Sequence, residues 1–416
     1  MKTNGKSLDR RTFLKVSGGL AAASVLGFPN ILRGKEPTAV KIGGVWPITG
    51  VMASGGNACK TGGQIAIEEI NQAGGIKSLD GAKLELLIGD AQSKPDVGMA
   101  EEERLIQRGV DVTMGCWDSG TTFAVTQVAA KYGMPHLVDM AVSPEITERG
   151  FTNIFKLAGT PESSAQACVR DLKKLMEVTG VKPKTGVILA VNTLFGQNEA
   201  KFFHKHLPKI IDIMDNIRYP AGTNDLTAEL TKIKAMKPDM FFPCNYLPDG
   251  ILMTRQMKTL NFDCIAVWGM YSPAHCVPEF MENLGKLAEY SWNTIESADY
   301  KLKRYWDVST KYKKIMRHNL PMDAAFSYTM VYVLADALER AKSTKRDKLL
   351  EALRKTYFKD HIMAGGPVLF DKTGQCMNDY NVAQQILKGE FQNIYPEKYQ
   401  TMKPVFPIPK WSERAL

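Results

Sequence analysis

Residues 40–76 read VKIGGVWPITGVMASGGNACKTGGQIAIEEINQAGGI, and the order of features in this stretch decides the fold. Its first six residues form a short apolar run, which is typical of a buried strand. After a glycine-rich loop, residues 62–73 place Ile65, Ala66 and Ile70 on one face of a helix. Two glycines then end the helix, because glycine tolerates the left-handed backbone of a helix C-cap. The stretch therefore predicts a strand followed by a helix that packs on it.

The same alternation of strands and helices continues along the chain. Before residue 160 we expect strands at 83–88, 110–114 and 135–138 and helices at 97–107 and 121–131. The pattern then restarts, with strands at 185–191, 239–243 and 265–268 and helices at 163–177, 197–206, 226–236 and 249–260. A long helix at 323–341 and two late strands at 367–370 and 382–387 follow. Because parallel strands need helical crossovers, the chain is predicted to be an α/β protein with parallel sheets covered by helices.

The first 35 residues have the character of an export signal. Arg10 and Arg11 precede an uncharged apolar run at residues 16–28, which is shorter than the ~20 residues that span a membrane. Paired arginines before such a run are typical of the twin-arginine route. We therefore expect residues 1–35 to be a twin-arginine signal peptide and the protein to work in the bacterial periplasm.

The charge of the chain lies mostly in this signal. The formal net charge is +9, and residues 1–35 carry seven Lys or Arg against a single Asp. The rest of the chain is thus only slightly basic, and its basic residues are scattered among acids. We expect no nucleic-acid partner, because such partners require a concentrated basic surface.

Motifs for metal binding and catalysis are weak. The seven cysteines form no Cys-x-x-Cys pair, and their disulfide pairing is left open. His204 and His206 are the nearest to a metal-ligand pair, but no cysteine or acid completes the set. Ser119 lacks the Gly-x-Ser-x-Gly context of a hydrolase nucleophile. We expect no metal site, no cofactor and no enzymatic activity.

Short loops rich in glycine, proline and small polar residues follow the predicted strands in a fixed order. They are PITG at 47–50, GG at 55–56, GDA at 89–91, GCWDSGTT at 115–122, SPEIT at 143–147, FTNIFK at 151–156, FGQ at 195–197 and GGP at 365–367. In this order they resemble the type I periplasmic binding proteins of the leucine/isoleucine/valine-binding family, which are the receptors of ABC importers. The resemblance covers nearly all of residues 40–390.

The resemblance implies two Rossmann-like lobes with parallel sheets, joined by a three-stranded hinge. The hinge crossings are expected near residues 159–160, 291–295 and 378–381. Lobe one would then comprise residues 38–159 and 293–378, and lobe two residues 160–292 and 379–416. A monomer of this kind would close on a small-molecule ligand between its lobes, and an ABC permease in the inner membrane would recognise the closed form.

Two loops of the first lobe are implied to hold a carboxylate. Ser119 aligns with the carboxylate-binding serine of the family and begins a helix, where hydroxyls and free N–H groups can bind an anion. Val142 stands where amino-acid binders often carry a threonine, so that a hydroxyl is missing. The implied contacts on these two loops are Trp117, Ser119, Thr121, Thr122, Met140, Ala141 and Val142.

The second lobe is implied to contribute aromatic side chains. Tyr246 aligns with the ligand-contacting tyrosine of the family, and Tyr271 falls near the glutamate that binds the α-ammonium group of amino acids. A missing acid there would move selection away from zwitterions, although Asp118 and Asp249 are candidates to take its place. Trp46, which follows the first strand, is also expected at the cleft. We predict a small carboxylate-bearing solute, either an amino acid or an aromatic or other organic acid.

Two other functional classes stay open from the sequence. A ligand-sensing receptor of the same fold, for amides or amino acids, would use the same cleft without a permease. An exported enzyme is the second alternative, because twin-arginine export serves many cofactor-loaded proteins, but the motifs that it requires are missing.

Overall fold

A computed structural model describes residues 39–414 of the chain. The predicted signal peptide, residues 1–35, lies outside this range. Within it, no helix combines the length and the apolar character that crossing a membrane requires. The described residues form two sheets with helices packed against them.

The first sheet has five parallel strands in the order β2-β1-β3-β4-β5. They are β1 (Val40–Trp46), β2 (Leu84–Asp90), β3 (Val112–Gly115), β4 (His136–Val138) and β5 (Ile154–Lys156). Three helices connect the first four strands: α1 (Ala53–Gln72), α2 (Pro95–Gln107) and α3 (Ser119–Lys131). Because the strands are parallel, the loops that leave β1, β3 and β4 share one edge of the sheet.

The second sheet has seven strands in the order β12-β11-β10-β9-β8-β6-β7. They are β6 (Thr185–Val191), β7 (Asp212–Tyr219), β8 (Met240–Cys244), β9 (Ala266–Met270), β10 (Trp292–Glu296), β11 (Asn381–Leu387) and β12 (Glu390–Tyr395). Strand β11 pairs antiparallel with both β10 and β12, and the other pairs are parallel. Its helices are α4 (Pro161–Thr179), α5 (Leu194–His206), α6 (Thr227–Met236), α7 (Leu247–Thr259) and α8 (Pro278–Leu284). The predicted α/β class with mostly parallel sheets is confirmed.

Three further helices follow β10 and pack back on the first sheet's side. They are α9 (Lys303–Met316), α10 (Met322–Ala341) and α11 (Arg346–Arg354). The Tyr328 hydroxyl and the Lys311 ammonium group both bind Glu69 of α1, at 2.6 Å each. The chain thus passes between the two sheets after β5, after β10 and before β11.

One predicted lobe boundary falls inside a strand. The predicted return to lobe one is at residue 293, but β10 (Trp292–Glu296) pairs along its length with β11 of the second sheet. The chain leaves that sheet only after Glu296. The Glu296 carboxylate accepts a hydrogen bond of 3.0 Å from the N–H of Gly159, which ties two of the three crossings together.

The element predictions were wrong at several places. Helix α1 begins at Ala53, nine residues before the predicted start, because close packing at its glycines outweighs their low helix propensity. Residues 367–370 form only isolated bridges, at Val368 and Phe370, rather than a strand. Strands β7 and β12 lie at the edges of the second sheet, and their polar sequences gave no apolar signal.

Candidate functional site

A cavity lies where the loops of the two sheets face each other. The space between its lining atoms, including the part open to solvent, is about 360 Å³. From the first sheet's side it is lined by Trp117, Asp118, Ser119, Met140, Ala141, Val142, Met322 and Asp323. From the second sheet's side it is lined by Phe195, Tyr246, Tyr271, Pro273, Cys276 and Ile295. Seven of the ten predicted contacts are therefore together at one site.

The loop after β3 is held by side chains that reach across it. Trp117 has a positive φ of 72°, which is uncommon for a residue other than glycine, and its indole N–H donates to Asp323 Oδ1 at 3.0 Å. Asp118 caps helix α3, because its Oδ1 accepts from the N–H of Thr121 at 2.9 Å. Ser119 is the first residue of the helix, and its side chain lines the cavity. Non-glycine residues in this backbone conformation are frequent at ligand sites.

Three predicted contacts do not line the cavity. The Thr122 hydroxyl donates to the carbonyl of Asp118 at 2.6 Å, which directs it back along its own helix. The Thr121 methyl packs at Gly98 of helix α2. Trp46 is fully buried beneath the site, and its indole N–H donates to Asp139 Oδ2 at 2.8 Å. These side chains support the loops that form the cavity.

The loop after β4 presents backbone rather than side-chain donors. Met140, Ala141 and Val142 are buried at the cavity wall. Within residues 39–414, no hydrogen bond engages the N–H of Ala141 or Val142. The ammonium group of Lys156 holds the loop in place, because it donates to the carbonyls of Val142 and Ser143 at 2.8 and 3.2 Å. The two free N–H groups are thus rigidly placed.

Aromatic rings form one wall of the cavity. The ring centroids of Trp117 and Tyr246 are 6.0 Å apart, and those of Phe195 and Tyr246 are 5.7 Å apart. Each of the three side chains is buried. Such a wall favours a ligand with a flat or extended apolar body.

Tyr271 lines the cavity, and its phenol hydroxyl is hydrogen-bonded within the protein. Its hydroxyl donates to Glu296 Oε2 at 2.6 Å, and its φ is +49°. Burial raises the pKa of Glu296 to about 8. Asp249, which we considered as a substitute acid, accepts a hydrogen bond from the Tyr219 hydroxyl at 3.2 Å and is not among the cavity residues. Asp118, the other substitute considered, does line the cavity, and burial raises its pKa.

The sequence reasoning missed Asp323. This residue is the second of helix α10 and is only 2% exposed. One of its carboxylate oxygens binds the Trp117 indole, and the other has no partner in the described part of the chain. Burial raises the pKa of Asp323 to about 7. Its position two residues after Pro321, in the first turn of a helix, is the only local signal that could have indicated it.

The cysteines are buried or half-buried free thiols rather than disulfides across residues 39–414. Burial raises the pKa of every one of the seven, which keeps these thiols protonated. In the same range, no group of three or more His, Cys, Asp or Glu is arranged to hold a metal ion.

The model of the periplasmic binding protein family matches residues 39–390, which is most of the chain. The chain belongs to this family. The resemblance stated from the sequence is thereby confirmed, as is the prediction of a binding protein rather than an enzyme. Membership also implies a periplasmic location.

Individual periplasmic binding proteins also match this chain in sequence. The Leu/Ile/Val-binding protein BraC3 of Rhizobium johnstonii is 28% identical over 232 residues, which are 55% of this chain and 61% of that protein. The matched segment thus spans about three fifths of that relative's length.

Two solved structures share the fold. The branched-chain amino acid transporter substrate-binding protein LivJ from Streptococcus pneumoniae, in complex with isoleucine, has a TM-score of 0.77 at 20% identity, covering 89% of this chain and 100% of that chain. A solute-binding protein of an ABC transporter from Rhodopseudomonas palustris BisB5, in complex with 3,4-dihydroxybenzoic acid, has a TM-score of 0.74 at 20% identity. The match covers 90% of this chain and 99% of that chain.

Proposed function

We propose that the protein is the receptor of an ABC importer, which captures a small carboxylate-bearing solute in this cavity and delivers it to a permease of the inner membrane. The observation that carries the proposal is the cavity itself, which takes its walls from both sheets and adjoins the crossings between them. We further propose that residues 1–35 direct export by the twin-arginine route and that the mature protein is a monomer.

The carboxylate would be held by neutral donors. The Ser119 hydroxyl lies at the start of helix α3, where the helix dipole favours negative charge. Ala141 and Val142 line the same cavity from the next loop, and their N–H groups have no partner among residues 39–414. Among the described residues, no lysine, arginine or histidine lines the cavity, so these donors would carry the interaction.

Closure of two lobes around the ligand accounts for the contacts on either side of the cavity. In our proposal, lobe one is residues 39–159 and 297–378, and lobe two is residues 160–296 and 379–414. The side-chain hydrogen bonds that cross between them include one from Ser54 to Glu279 at 2.7 Å and one from Asn198 to Glu145 at 2.9 Å. A ligand that contacts both walls would favour this closed arrangement over an open one.

The relatives support two classes of ligand. The streptococcal structure contains an amino acid and the Rhodopseudomonas structure an aromatic acid. A thermal-shift screen of the purified protein against amino acids, aromatic carboxylates, aliphatic acids and amides would test the proposal. We expect at least one carboxylate-bearing class to raise the melting temperature by mass action. No shift with any carboxylate would contradict the proposal, and a shift with amides alone would favour a sensor.

Ser119→Ala is expected to weaken binding of the ligand found in this screen by about 1–2 kcal/mol, or roughly five- to thirtyfold, because it removes a donor to a charged carboxylate. Isothermal titration calorimetry of the two proteins measures the difference. Thr122→Val is the matched control, because its hydroxyl belongs to the same helix but donates to the Asp118 carbonyl. Equal loss of affinity in both variants would remove Ser119 from the site.

A further inference from the structure

The cavity has a second recognition element at Asp323. Resting on the proposed function, we propose that the free carboxylate oxygen of Asp323 binds a cationic group of the ligand, so that the captured solute carries a protonated amine on an apolar body. This names the ligand class within the proposed site, and it places the cation on the first sheet's side rather than at Tyr271.

The unpartnered oxygen of Asp323 is the first observation behind this inference. The side chain is 2% exposed and lines the cavity, and Trp117 donates to Oδ1 at 3.0 Å. Oδ2 is buried and has no hydrogen-bond partner among residues 39–414. A buried carboxylate oxygen without a partner is costly, and an ammonium group entering the cavity would satisfy it.

The charge around the cavity is the second observation. Asp118 and Asp323 both line it, and no basic side chain from the described range 39–414 does. Asp118 also has one buried oxygen without a partner in the described chain. A ligand carrying only a carboxylate would bring a further negative charge to this enclosed space, whereas an amine compensates the charge already present.

Asp323 is placed to form an ion pair of defined geometry with an ammonium group of the ligand. The residue lies in the first turn of α10, where a negative charge is favoured, and the bond from Trp117 fixes its orientation. Trp117 and Tyr246 line the same space, and aromatic rings attract cations placed over their faces. Ser119 and Asp323 therefore offer separate positions for a carboxylate and an amine.

The affinity for an amine is expected to fall at acidic pH. The pKa of Asp323 is raised to about 7, because burial, helped by the nearby Glu279 and Asp139, outweighs the lowering effect of the Trp117 bond. The other titratable groups around Asp323 are Asp118, Tyr271, Tyr312 and the thiols of Cys59 and Cys276, whose pKa values burial raises. An ammonium group requires the carboxylate form, so binding below pH 7 must release a proton. Calorimetry should give about a tenfold loss of affinity per pH unit below 7, and Asp323→Asn should abolish this slope.

Matched ligand sets at pH 8 test the inference directly. L-phenylalanine, 3-phenylpropanoate and 2-phenylethylamine share one body, and L-leucine, 4-methylpentanoate and 3-methylbutylamine share another. We expect the amine-bearing members of at least one set to bind at least tenfold more tightly than the acid that lacks the amine. Asp323→Asn should remove this preference while it retains the acceptor for Trp117. Asp249→Asn is the matched control, because Asp249 is equally buried but bonds to Tyr219 away from the cavity.

The outcomes separate this inference from the proposed function. If the acids without an amine bind as tightly as the amines, or if Asp323→Asn keeps the preference, the inference is wrong and the proposed receptor stands. If neither acids nor amines bind in either set or in the thermal-shift screen, both fail. Melting curves of the two variants establish that each is folded.

Discussion

Gly55→Ala should lower the affinity for the ligand at least 100-fold. A Cβ at residue 55 would lie 2.2–2.4 Å from three ring atoms of Trp117, far inside any allowed contact. The ring is buried and tethered through its N–H to Asp323, so it can yield only by breaking that bond or by moving into the cavity. Either movement disturbs both the aromatic wall and the Asp323 carboxylate that Trp117 binds. Calorimetry with the ligand identified by screening measures the loss.

Gly63→Ala is the control for this result. It adds a methyl group to the same helix, but its Cβ would meet only Val331 and Trp46, at 3.7 and 4.0 Å. Alanine is favoured over glycine within helices by roughly 0.5–1 kcal/mol, so this variant should be as stable as the parent or more stable. If Gly55→Ala retains full affinity, Trp117 does not determine the shape of the binding site.

Lys156→Met should lower the free energy of unfolding by about 3 kcal/mol or more and also weaken ligand binding. The lysine is fully buried, and its ammonium group donates to the carbonyls of Val142, Ser143 and Gly159 at 2.8, 3.2 and 3.3 Å. Methionine fills a similar volume but leaves three buried acceptors without their donor, each at a cost of roughly 1–3 kcal/mol before relaxation. The loop that carries the free N–H groups would lose its anchor.

Chemical denaturation of the parent and the variant measures this change. Lys131→Met is the control, because Lys131 is an exposed lysine paired with Glu103, and it should leave the free energy of unfolding nearly unchanged. Burial lowers the pKa of Lys156 to about 7, so its charge is costly in the folded protein. A variant that is more stable than the parent would mean that this cost exceeds the value of the three hydrogen bonds.

Much of the fold could be predicted from the sequence because its signals are local. The apolar runs that became β1, β3 and β8 stand between clear helices, and their order fixes parallel pairing. Polar edge strands such as β7 carry no such signal. The early start of α1 was missed because Gly55 packs against Trp117, which is more than 60 positions away in the sequence.

The site was predictable where it follows strand ends. Ser119 and Val142 leave neighbouring parallel strands, so their place at one edge of the sheet follows from topology. Trp46 also leaves a strand, but its ring folds back over Gly44 and bonds to Asp139, which no local pattern indicates. Asp323 reaches the cavity only because α10 packs on α1, and its partner Trp117 is 206 residues away.

The crystal structure of the purified protein with its tightest ligand tests the central claim most directly. We predict a small molecule in the cavity, with a carboxylate oxygen within about 3.2 Å of Ser119 Oγ or of the N–H groups of Ala141 and Val142. We further predict an amine nitrogen at the free oxygen of Asp323. A ligand bound outside this cavity, or one inside it that contacts none of these groups, would contradict the account.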